Sequence, residues 1–109
     1  MKNYANKWLI QRITATILIP LSFWFIYNCL SFASMNYIQL FLFFKSIINS
    51  LLFLIMMISM LIHAKLGCET IVEDYVTSKK TLKISKLIID YLTYSLMFLI
   101  TVFVIKMIN

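Results

Sequence analysis

His63 closes the uncharged apolar run 46–62 and is the only histidine in the chain. Neutral imidazole is a common axial ligand of haem iron, and an ionisable side chain in an apolar segment is by default functional. A histidine at a helix end that hydrogen-bonds a neighbouring helix is the plainer reading. One histidine cannot fill both axial positions of an iron, so a haem here needs a second ligand from another chain or a second copy. Gly67, the single glycine, stands at i+4 on the same helical face. A helix surface without a side chain accepts a flat porphyrin, or lets a second helix approach closely. Ser59, at i−4, can donate or accept a hydrogen bond on that face.

A second set of groups follows. Asp74 comes 11 residues after His63, which on a continuous helix returns it to within roughly 20° of the same direction, about 16 Å further along the axis. The hydroxyl of Tyr75 can donate to a quinone carbonyl, and a neighbouring carboxylate can orient it or relay a proton. An exposed acidic loop with an interfacial tyrosine fits the same residues. Arg12 is the sole arginine beside nine lysines. Its planar fork suits a carboxylate such as a haem propionate, although an ordinary interfacial arginine has the same position. Cys29 and Cys68 lack metal-ligand spacing, are expected on opposite sides of the bilayer, and read as small hydrophobes.

The elements that position these groups are apolar helices. Of the 109 residues 62% are hydrophobic and only 13% charged, against about 25% charged in soluble domains, and the mean hydropathy is +0.92. This excludes a soluble catalytic domain. The expected fold is all-α and integral to the membrane: one domain over 1–109, with three transmembrane helices at about 8–33, 38–66 and 82–106. The first run, 13–33, has 21 residues without a charge, longer than the 7–15 or so of a signal-peptide core, and is read as a retained helix. Pro20 removes the hydrogen bond to the Thr16 carbonyl and should bend that helix. Ser34-Met35-Asn36-Tyr37 is the expected turn, and residues 65–80 form the expected polar connection.

Ten basic and four acidic residues leave a net charge of +6. Lys2, Lys7 and Arg12 precede the first run, and Lys65, Lys79, Lys80, Lys83 and Lys86 surround the polar connection. Such flanking clusters are orientation signals, not the solvated basic face that nucleic acid requires. They place the N-terminus and the second connection on the cytoplasmic or matrix side and the C-terminus on the other.

Trp8-Leu9-Ile10-Gln11-Arg12-Ile13-Thr14-Ala15 ahead of a long span, then His63-Ala64-x-x-Gly67, then Asp74-Tyr75, resembles the small membrane-anchor subunit of succinate dehydrogenase, respiratory complex II. Ile71-Val72-Glu73-Asp74-Tyr75 looks most like the alphaproteobacterial and mitochondrial branch. The resemblance implies a subunit of a heteromeric helix bundle that anchors the flavoprotein and iron–sulfur subunits and passes electrons to ubiquinone without catalysing anything alone. His63 would then be one axial ligand of haem b, the larger anchor subunit supplying the other, and Arg12 would sit near the propionates. Gly67 would pack on the haem, and Tyr75 would hydrogen-bond ubiquinone with Asp74 beside it. Abundant Ile, Asn, Lys, Phe and Tyr suggest an AT-rich genome, which favours the mitochondrial inner membrane, with a bacterial inner membrane next. A small non-catalytic three-span accessory or assembly subunit of another respiratory complex is the alternative. Such a protein would share the spans but would not need His63, Gly67 and Asp74-Tyr75 in register.

Overall fold

A computed structural model describes residues 4–109; Lys2, one member of the N-terminal basic cluster, lies outside them. The chain forms α1 (Tyr4–Phe32), α2 (Tyr37–Lys45), α3 (Ile47–Tyr75) and α4 (Lys79–Ile108), with no strand among the described residues. Three of these, α1, α3 and α4, are long and apolar enough to cross a membrane. At 29, 29 and 30 residues each measures about 43–45 Å against about 30 Å of hydrocarbon. Their ends therefore reach beyond the apolar layer, and the polar groups cluster there. α1 runs unbroken through Pro20.

The region around the expected second span differs in two ways. A break at Ser46 (φ −63°, ψ 127°) separates α2 from α3. The carbonyls freed by the break are taken up locally: Ser46 N–H donates to Leu42 O at 3.3 Å, Asn49 Nδ2 to Phe43 O at 3.2 Å, and the Ser50 hydroxyl to Phe44 O. With buried backbone groups satisfied in this way, a helix break is tolerated at membrane depth. At the other end, α3 continues to Tyr75, so residues 65–75 are helix and only 76–78 connect to α4. The charges that suggested a loop are neutralised pairwise along and between helices, beginning with Lys65 and Glu69 at i,i+4.

Capping defines the remaining boundaries. Asn36 Oδ1 accepts from Gln39 N–H at 2.9 Å, while Gln39 Oε1 accepts from Asn36 N–H at 3.1 Å, a reciprocal capping box that starts α2. Ser78 caps α4 by accepting from Thr81 N–H. α3 is the central helix, packed against α1 on one side and α4 on the other. Its interfaces use small hydroxyl residues, Thr14, Ser50, Ser59 and Thr93, together with Met56, Leu66 and Val104. Small residues let membrane helices approach closely where lipid supplies no hydrophobic drive. One end of the bundle is filled by rings: Phe44 contacts Phe32, Phe53 and Phe103 at 6.1, 5.3 and 6.4 Å between centroids. The opposite end carries the charges.

Candidate functional site

Lys7, Gln11 and Thr14 lie at i, i+4 and i+7, one polar stripe of α1, and this stripe faces α3. Thr14 Oγ1 is 3.0 Å from His63 Nδ1 and also lies 2.9 Å from Ile10 O and 3.0 Å from Gln11 O. The Gln11 amide reaches the same ring nitrogen. With its nitrogen toward the ring it donates to Nδ1 at 2.8 Å and to His63 O at 3.2 Å, while its oxygen accepts from Gly67 N–H at 3.3 Å. Two α1 side chains thus engage Nδ1, and Nε2 is the ring nitrogen without a partner among the described residues.

His63 lines an open groove of 340 Å³ together with Trp8, Gln11, Arg12 and Ala15. The Arg12 guanidinium lies 4.9 Å over the Trp8 ring, worth about 0.5–1 kcal/mol at an exposed site. It makes no ion pair among the described residues. A second groove of 390 Å³ is walled by Lys7, Trp8, Gln11, Thr70, Glu73 and Asp74. The two grooves share Trp8 and Gln11, one reaching His63 and the other Asp74.

The candidate residues are therefore only partly brought together. His63 and Arg12 face one groove, and Asp74 lines the next. Tyr75, the last residue of α3, is 82% exposed and is not among the residues walling either groove. A Cβ added at Gly67 would meet only Gln11 Nε2, at an ordinary 3.9 Å, so contacts within this chain do not demand a glycine there. Ser59 is buried. Cys29 and Cys68 are both free.

Charge pairing closes the end of the seam at Lys7 and Glu73. Lys7 Nζ lies 2.9 Å from Glu73 Oε1 and 3.9 Å from Glu69 Oε2. Lys65 Nζ is 3.2 Å from both Glu69 Oε1 and Asp90 Oδ1, and Lys86 Nζ is 3.3 Å from Glu73 Oε1. Three cations and three carboxylates tie α1, α3 and α4 together, so the N-terminal ends of α1 and α4 meet the C-terminal end of α3. Lys7, Lys65 and Lys86 are thus internal partners as well as flanking charges. Gln11, Thr14, Glu69 and Glu73 received no role from the sequence. The Lys7-Gln11-Thr14 stripe, and Lys65, Glu69 and Glu73 at i, i+4 and i+8, were the available signals.

Chemically, the site offers one imidazole held through Nδ1 and a guanidinium beside it that has no carboxylate partner among the described residues. Among the described residues no group of three or more His, Cys, Asp or Glu could hold a metal ion, so His63 is suited to act as a single donor. A porphyrin that needs one histidine and one propionate partner from this chain fits that donor set.

A model of the succinate dehydrogenase/fumarate reductase transmembrane subunit family matches residues 3–106. The succinate dehydrogenase hydrophobic membrane anchor subunit of Rickettsia bellii (strain RML369-C) is 37% identical over 79 residues, 72% of this chain and 63% of that protein. Those of Rickettsia typhi (strain ATCC VR-144 / Wilmington) and Rickettsia prowazekii (strain Madrid E) are each 35% identical over 80 residues, with the same coverage. The chain thus spans a little under two thirds of the length of the curated relatives it matches. No solved structure matches it significantly.

Proposed function

This chain belongs to the succinate dehydrogenase/fumarate reductase transmembrane subunit family, and we propose that it is the small membrane-anchor subunit of a succinate:ubiquinone oxidoreductase. One observation carries the reading: His63, with Nδ1 engaged by α1, shares an open groove with Arg12, which makes no ion pair among the described residues. Haem b, when bound, supplies a one-electron redox centre within the bilayer. On this reading His63 would hold the haem iron through Nε2, and Arg12 would pair with a propionate. The larger anchor subunit would complete the haem site and supply the remaining walls of a groove that is open on its own.

Tyr75 donates a hydrogen bond to a ubiquinone carbonyl, and Asp74 orients it or relays the proton. The tyrosine's exposure at the end of α3 leaves it free to meet a quinone at a surface completed by the partner subunits. The iron–sulfur and flavoprotein subunits dock on the side that carries Lys79, Lys80 and Lys83, which is the matrix or cytoplasmic side by the distribution of Lys. An AT-biased composition favours a mitochondrial inner membrane; the Rickettsia relatives also suit a bacterial one.

Purification of the intact complex through a tag on this chain tests the proposal. Flavin and iron–sulfur subunits, succinate–quinone reductase activity and a haem b band should copurify. Copurification with a different respiratory complex, and with no succinate oxidation, would overturn it.

A further inference from the structure

We propose that Thr14 and Gln11 are positioning residues that set which ring nitrogen of His63 is free to bind iron. The inference rests on the reading of His63 as a haem ligand and goes beyond it. Thr14 carries a single hydroxyl hydrogen. Its oxygen lies 2.9 Å from Ile10 O and 3.0 Å from Gln11 O, both pure acceptors, and 3.0 Å from His63 Nδ1. With the hydrogen committed to the α1 carbonyls, the oxygen can only accept from the ring. Thr14 is 5% exposed, so water does not readily substitute. The contact therefore favours a proton on Nδ1 and a lone pair on Nε2, the tautomer that ligates iron through Nε2.

Gln11 is ambivalent. With its nitrogen toward the ring, the amide satisfies Nδ1, His63 O and Gly67 N–H together, but only when Nδ1 carries no proton. Nε2 then bears the hydrogen and is no ligand. With its oxygen toward the ring, the amide accepts from Nδ1–H at the same 2.8 Å separation and gives up the two contacts to the α3 backbone. The oxygen then lies 3.2 Å from His63 O and the nitrogen 3.3 Å from Gly67 N, acceptor against acceptor and donor against donor, a cost that the bond from Nδ1–H must offset. Ligation at Nε2 therefore selects the oxygen-inward amide, with Thr14 already biased that way. A ligating histidine whose second N–H donates to a fixed acceptor is a more basic ligand held in one orientation. Here α1 supplies both acceptors, and the amide decides how many are engaged.

The test is the midpoint potential and low-spin electron paramagnetic resonance spectrum of haem b in the intact membrane complex, with His63→Ala run in parallel. Thr14→Val removes an acceptor at nearly constant shape, so the potential should rise and the g-values shift, and Thr14→Ser should restore both. Gln11→Glu presents only acceptors and should lower the potential. Removing a hydrogen-bond partner of a ligating histidine alters metal affinity by roughly tenfold or more, and tenfold in ferric-over-ferrous preference reads as about 59 mV for one electron. Should Gln11→Glu fail to accumulate, the Val and Ser variants at position 14 decide alone. Parental potentials and g-values in Thr14→Val, with the signal lost in His63→Ala, would overturn the positioning role and leave the ligand reading standing. Retention of the low-spin signal in His63→Ala would overturn both.

Discussion

Replacing Lys65 by Met should destabilise the folded chain far more than replacing any exposed lysine. Lys65 Nζ is 3.2 Å from carboxylate oxygens on two helices, Glu69 and Asp90, and 5.5 Å from the Tyr94 ring centroid. Met keeps much of the stem and removes the charge. Glu69, whose side chain is 8% exposed, then keeps only Lys7 at 3.9 Å, and Lys7 is nearer to Glu73 at 2.9 Å. Orphaning one member of a buried pair costs about 3–5 kcal/mol. The remaining Lys7 sets the expectation at the lower end, about 3 kcal/mol, or more than 100-fold in the folded fraction. Asp90 is 42% exposed and is rehydrated, adding at most about 1 kcal/mol. Glu69→Gln should be milder, about 1 kcal/mol, because Lys7 retains Glu73 and Lys65 retains Asp90. Lys65→Met combined with Glu69→Leu should recover most of the loss, since exchanging a whole buried pair for apolar groups is often neutral. Reversible unfolding of the chain in mixed detergent micelles, monitored by helicity, reads these differences. Equal stability of Lys65→Met and Lys80→Met, which alters an exposed lysine, would show that the Lys65 network does not hold the helices together.

Three further outcomes follow from the same geometry. Tyr75→Phe should lower quinone reduction several-fold at subsaturating quinone while leaving succinate oxidation with a soluble artificial acceptor nearly normal, with a related defect in Asp74→Asn; equal losses in both assays would count against a quinone site. A C-terminal tag should be protected in inside-out vesicles, which expose the matrix or cytoplasmic face, and protease cleavage of it there would refute the orientation. Ser50→Ala should cost about 1–2 kcal/mol in the micelle unfolding assay, because Phe44 O at the helix break loses a buried donor; parental stability would show that the break does not need it.

The three crossings were legible because charge depletion over some 20 residues leaves a chain few alternatives to a helix in lipid. The break at Ser46 was not, since apolar residues run on through 38–66 and the break is sustained by Asn49 and Ser50 side chains reaching back six residues. Residues 65–75 read as a connection for a related reason. Local charge density suggests solvent, but Lys7, Lys65 and Lys86 find their partners across helix interfaces, and such pairing has no one-dimensional signature. His63 and Arg12 stood out by residue type, and the structure sets them on one groove. The hydroxyl that holds the imidazole lies 49 residues earlier in the chain; only the spacing of the α1 stripe hinted at it. The family match over residues 3–106 agrees with the resemblance drawn from the motifs around those residues.

We propose His63 as a ligand of haem iron. The reduced-minus-oxidised visible spectrum of the purified complex, compared between the parent and His63→Ala, tests it most directly. In the parent, a low-spin haem b band should copurify with succinate–quinone reductase activity. In His63→Ala the band should be lost or become high-spin, with the chain still inserted in the membrane. An unchanged band, with an unchanged midpoint potential, in His63→Ala would contradict it.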